Sequence, residues 1–232
     1  MTLFVALPQK MRRRRSWVAP ILVLLMVGIY LWMQPMDDSI ERQMQLKWGM
    51  LSGNLSTWAE WDQAIRSGRA LRLYTAIFMH LNWSHLIGNV VFLIIFGPPT
   101  ERILGSLRFA LLFIVAGVLS NAITVMALDG TSHFVIGASG AISAVMGAYI
   151  TLLPRAKLGI FLPLGLYLKV IEAPAIVLVS LWVVMQIAFV FVGTQNSSVA
   201  WIGHVAGFLI GVLFALGSRK AIAQMVRREK GY

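Results

Sequence analysis

The chain has 232 residues, 58% hydrophobic and only 12% charged, against about 25% charged in an ordinary soluble domain, so a soluble globular class is excluded. The net charge of +11 does not argue for nucleic acid as a partner, because the basic residues cluster in short segments between apolar runs, as membrane topology requires. With no cysteine, disulfides and thiolate metal sites are excluded.

The N-tail, residues 1–16, carries Arg12 to Arg15 just before an apolar run. This pairing resembles a secretory signal, but no small-x-small cleavage site closes the run, and residues 17–33 read as an uncleaved first span. The exterior loop 34–73 follows. In it Trp48, Leu51, Leu55, Trp58, Trp61 and Ile65 recur every three or four residues. That periodicity predicts a tryptophan-rich helical stripe lying in the outer interface; the alternative is a small cap packed on the bundle.

Five further spans are predicted at 74–96, 109–128, 139–153, 174–192 and 202–216. They should be helical, because lipid offers the backbone no other hydrogen-bonding partner in an open chain. Glycines and Pro98, Pro154 and Pro174 punctuate their ends. The apolar stretch 158–168 has roughly half the length needed to cross and is expected at the inner interface. A basic tail, 218–232, closes the chain. The expected fold is therefore all-α, a polytopic six-transmembrane-helix bundle over 17–217 with a long interfacial first loop. With both termini inside, fifteen of the twenty lysines and arginines fall on the inner side, which orients the bundle by the positive-inside rule.

Three polar islands interrupt these apolar spans: residues 80–89, 137–140 and 203–207. Burying an unpartnered polar group costs roughly 2–7 kcal/mol, so polar side chains at membrane depth are functional candidates. Helix rise places them in one layer. Ser139 lies about 22 Å above Pro154, His204 about 21 Å above Ser218 and His85 about 24 Å above Glu101. Asn89 is one turn deeper than His85.

Ser139 opens its span, where a helix N-terminus presents unpaired N–H groups to a developing oxyanion. His85 and Asn89, four residues apart on one helix face, are candidate further donors. His204 is the candidate base. Every Asp and Glu lies outside the deep part of the spans, so the pattern supports a serine–histidine dyad rather than a triad. Gly140 and Gly147 in the fourth span, with Gly203, Gly207 and Gly211 in the sixth, allow these two helices to pack closely. Singly, each polar residue has a bland reading: serine as packing, asparagine as interhelical glue, histidine as core. His80 reads either as an aid to water entry or as an interfacial histidine, and His133 as structural.

In the Gly137-Ala-Ser139-Gly140 motif, the His85-x-x-x-Asn89 motif and the His204-x-x-Gly207-x-x-x-Gly211 motif, in this order, the chain resembles the rhomboid intramembrane serine proteases. The resemblance runs from Arg72 to about Gly211. It implies Ser139 as nucleophile, His204 as base, and His85, Asn89 and the Ser139 backbone N–H as oxyanion donors, with Gly137, Gly140, Gly207 and His80 in support. It also implies transmembrane proteins as substrates, no cofactor, no metal and no nucleic acid, and the Arg-rich, cysteine-free chain fits a bacterial inner membrane with cytoplasmic termini. Many rhomboids carry an aromatic residue one turn after the serine, against the catalytic imidazole. This chain has Ser143 there, and Leu71-Arg72 where the family has Trp-Arg, so the sequence names no group that orients His204. The polar loop 193–198 is a candidate cap and the fifth span a candidate gate. Two other readings are a non-catalytic rhomboid-like binding or chaperone protein, and a histidine-lined metal site or transporter. The transporter reading lacks repeated halves, and the metal reading lacks a His-Glu-x-x-His motif.

Overall fold

The structure, a computed structural model, describes residues 15–52, 55, 57–128, 133–164, 167–192 and 201–229. The outermost N-tail and the candidate cap at 193–198 lie outside the described residues. The chain is mostly helical. Helix α1 (Val18–Met33) is followed by α2 (Asp38–Trp48), strand β1 (Met50–Leu51) and α3 (Trp58–Arg66). A short α4 (Arg72–Thr75), flanked by 3-10 turns, leads to α5 (Trp83–Leu104) and α6 (Ser106–Ala127). Strand β2 (Phe134–Val135) precedes α7 (Ser139–Leu152). Strands β3 (Lys157–Leu164) and β4 (Tyr167–Pro174) precede α8 (Ala175–Val192) and α9 (Trp201–Glu229).

Helices α5, α6, α8 and α9 are long and apolar enough to cross a membrane; α1, with 16 residues, and α7, with 14, are shorter apolar helices. Helix α7 forms the centre. Gly140 through Tyr149 are all buried, with α5, α6 and α9 packed around them. Glycine sets the closest approach. A Cβ on Gly207 would collide with the Gly140 carbonyl, and one on Gly211 with the Ala144 carbonyl. On the α7 side, a Cβ on Gly147 would meet the Phe208 carbonyl. Helices α7 and α9 thus touch backbone to backbone, where the packing of small residues replaces the hydrophobic drive that lipid does not provide.

Glu101 ties α1 to this core. Its carboxylate accepts the backbone N–H groups of Trp17, Val18 and Ala19 at 2.9, 3.0 and 2.9 Å, and the Ser106 hydroxyl at 2.6 Å. A helix N-terminus leaves such N–H groups without intrahelical partners and favours negative charge. The burial of Glu101, which is 1% exposed, is matched by these four donors.

Four expectations change. The second long helix starts at Trp83 rather than at 74, because the Asn82 side chain caps it by accepting the His85 N–H at 2.8 Å. It runs on through Pro98 and Pro99 to Leu104, and the Thr100 hydroxyl donates to the Phe96 carbonyl at 2.7 Å inside this stretch. The apolar stripe of the first loop is not one helix but is divided among α2, β1 and α3. Leu55 is buried with Met50, Ala64, Leu73, Val125 and Val135 in a satellite core, while Trp58 is 90% exposed. The last helix continues to Glu229, so most of the expected basic tail is a helical extension of α9. Finally, the fold is not purely helical. Strands β3 and β4 pair antiparallel from Lys157↔Pro174 to Leu164↔Tyr167. A stretch of about eight residues a strand satisfies its backbone by pairing with its neighbour, and the Ala175 N–H closes the hairpin onto the Ala156 carbonyl at 2.8 Å.

Candidate active site

Ser139 is the first residue of α7, and the turn that delivers it depends on Gly137. Its φ of +117° is one that side-chain-bearing residues rarely adopt. The space it leaves is taken by the His85 ring: a Cβ on Gly137 would stand 2.5 Å from His85 Cε1 and 2.6 Å from Nε2. The Gly137 N–H donates to the Ala76 carbonyl at 2.8 Å. Upstream, β2 pairs with β1 of the first loop. The Ser52 N–H donates to the His133 carbonyl and the His133 N–H to the Ser52 hydroxyl, each at 2.8 Å. His133 therefore contributes through its backbone to a clamp on the segment leading to Ser139.

His204 stands in the first turn of α9. Its Nε2 lies 2.8 Å from Ser139 Oγ, and its Nδ1 lies 2.7 Å from Gln186 Oε1 on α8. Two indoles border the imidazole: Trp182 at 6.0 Å between ring centroids and tilted by 30°, and Trp201 at 5.9 Å and nearly perpendicular. Phe189 stacks on Trp201 in turn. The Gly207–Gly140 contact lies next to Ser139 along α7 and one turn below His204 along α9, so close backbone packing sets the separation of the two side chains. From α6, Ser120 backs Gly140 and Thr124 backs Gly203.

The candidate donors sit on α5. His85 rests on Gly137, and Asn89 is buried with its Nδ2 free of any hydrogen bond. His80, 2% exposed, packs edge-on against His85 at 5.2 Å, and neither of its ring nitrogens has a partner. It is an interior residue packed beside His85. Among the described residues, no three His, Asp or Glu side chains gather to hold a metal. Ser143 does not reach the imidazole, because its hydroxyl donates back to the Ser139 carbonyl at 2.6 Å.

Sequence reasoning missed Gln186, Trp182 and Trp201. The signal for Gln186 was present: it is the lone amide in α8, a polar group in an apolar span like those of the three islands. Trp182 precedes it by four residues, on the same helix face.

Apolar helices packed through glycine mark an integral membrane protein, and within it a serine hydroxyl is set against an imidazole. Residues 67–220 match the Rhomboid domain model, and the chain belongs to the rhomboid family. It is 32% identical to the rhomboid protease GluP of Bacillus subtilis over 168 residues, 70% of this chain and 29% of that one. To YdcA of the same organism it is 32% identical over 90 residues, 39% of this chain and 45% of the relative. The zebrafish (Danio rerio) mitochondrial presenilin-associated rhomboid-like protein A is 30% identical over 148 residues, 63% of this chain and 37% of its own. The chain spans less than half the length of these curated relatives.

Proposed function

We propose that this protein is an intramembrane serine endopeptidase that cuts transmembrane proteins with Ser139 and His204. The observation that carries the reading is the 2.8 Å approach of Ser139 Oγ to His204 Nε2. His204 takes the Ser139 proton as Oγ attacks the scissile carbonyl. The oxyanion lies against the Ser139 backbone N–H, His85 and Asn89, whose Nδ2 is free to donate. The intermediate collapses with loss of the amine, which takes its proton from His204. Water, activated by His204, then releases the acyl group. Cleavage needs no cofactor.

In this reading α1, α5, α6, α7, α8 and α9 are the six spans, occupying residues 17–217 between cytoplasmic tails, with 34–73 on the outer side of a bacterial inner membrane. Helix α7 is about 21 Å long and the hydrocarbon core about 30 Å thick. Surrounded by other helices, α7 need not reach both surfaces, and Ser139 at its head lies below the outer one. The charge bias supports this orientation.

The test is cleavage of a model single-span substrate in proteoliposomes, with chelator added in a parallel sample. Ser139→Ala and His204→Ala should each abolish cleavage, and the chelator should have no effect. Full activity in either variant would sink the dyad. A folded wild-type protein that retains substrates without cutting them would favour the non-catalytic binding reading.

A further inference from the structure

Resting on the endopeptidase reading, we propose that Gln186 is a positioning residue that holds His204 in the tautomer and orientation a base requires. An amide oxygen accepts and cannot donate. With Gln186 Oε1 2.7 Å from His204 Nδ1, the proton of the neutral imidazole resides on Nδ1. The lone pair is then on Nε2, directed at the Ser139 hydroxyl 2.8 Å away. In serine–histidine–aspartate centres the carboxylate performs this orienting task. Here a neutral amide performs it.

The choice of amide follows from the surroundings. Gln186 is 4% exposed, on a helix otherwise apolar apart from Ser180. A carboxylate at that depth would carry a desolvation penalty of several kcal/mol, whereas an amide costs far less once it is hydrogen-bonded. Helices α6, α7 and α8 bring no charged side chain to this end of the bundle, and α5 brings only His85. The indoles of Trp182 and Trp201 restrict the ring by packing on it, but its two nitrogens are taken by Gln186 and Ser139, so the indoles do not choose its tautomer. Gln186 is also one of three buried residues in α8, with Ala175 and Val179. The hydrogen bond therefore joins the outer half of this helix to the site, together with the Phe189–Trp201 stack. The role left vacant by Ser143 on α7 is filled from α8.

The experiment uses the full chain in lipid nanodiscs with nitrogen-15-labelled histidine, the His204 signals being assigned by their loss in His204→Ala. The wild type should show Nδ1 protonated and Nε2 unprotonated at neutral pH. Gln186→Met, similar in length but unable to replace the amide as an acceptor, should lose this preference. It should also lower kcat about 10- to 100-fold, the size of a lost buried hydrogen bond, while KM stays within about twofold. Gln186→Glu, which still accepts from Nδ1, should recover much of the rate. It should move the acid limb of the pH profile upward, because its negative charge favours the imidazolium. A merely packing role would leave the tautomer unchanged in Gln186→Met. If Gln186→Met fails to fold by thermal melting, the wild-type tautomer and the rate kept by Gln186→Glu decide the matter.

A wild-type His204 protonated on Nε2 would overturn the proposal, since it requires the amide in the reverse orientation. So would an unchanged tautomer and kcat in Gln186→Met. Persistent cleavage by Ser139→Ala or His204→Ala would instead remove the Ser139–His204 dyad from the proposed function and leave the tautomer result standing.

Discussion

Gly207 lies directly on the backbone of Gly140. That contact sets how far the His204 ring stands from the Ser139 hydroxyl. The two helices meet here with no side chain between them, so a single methyl group has nowhere to go. Gly207→Ala should push α9 from α7. A displacement of about 1 Å is expected to cost on the order of 100-fold in cleavage rate, and overpacking about 1–3 kcal/mol of stability. Gly28→Ala is the control, because a Cβ there meets nothing within 4 Å. Cleavage assays and melting curves on both variants check this.

Asn89→Ala separates catalysis from folding. The Asn89 Nδ2 makes no hydrogen bond, so truncation breaks none there. As an oxyanion donor it is expected to contribute about 10²–10³ in kcat. The expected outcome is a large loss of kcat with an unchanged thermal midpoint. A loss of stability in proportion to the loss of rate would assign Asn89 to packing.

Glu101→Ala should act in the opposite way, on stability first. It removes the acceptor for three N–H groups at the start of α1, those of Trp17, Val18 and Ala19, and for Ser106. Leaving one buried donor unsatisfied costs about 1–3 kcal/mol, so even with water replacing some bonds the melting temperature should fall markedly. Glu101→Gln keeps an acceptor oxygen and should fall between the two. Protection of α1 amides in hydrogen exchange is the second readout: it should drop in Glu101→Ala before that of α7.

Ser52→Ala tests the clamp on the segment before Ser139. It removes the acceptor of the His133 N–H but leaves the β1–β2 pairing. About a tenfold loss of cleavage is expected, from the cost of one unsatisfied N–H near the site. Activity unchanged within error would show that the strand pairing alone positions the turn.

The polar islands were legible because hydrocarbon makes any hydroxyl, amide or imidazole conspicuous. The glycines at 140, 147, 207 and 211 were legible for a related reason, since close helix packing in lipid needs small residues. Gln186 obeyed the same rule, but in a span that otherwise reads as apolar it was passed over. Other features lay beyond periodicity. The stripe from Trp48 to Ile65 has helical spacing, yet the chain divides it among two helices and a strand. Burial against Leu73, Val125 and Val135 outweighs the local repeat. The β3–β4 hairpin was hidden because a short apolar run does not declare whether it pairs or coils.

By itself the amino-acid order determined which segments are apolar, where polar groups interrupt them, and that no carboxylate falls in the same stretches as the serine and histidine. These are properties of composition and local spacing. Tertiary structure alone decided which atoms meet: Ser139 with His204 across 65 positions, Gln186 with His204 across 18, Glu101 with the start of α1 across more than 80. Spacing along a helix tells which face a residue occupies. Which helix stands opposite, and how near, depends on glycine-mediated contacts between segments far apart in the chain.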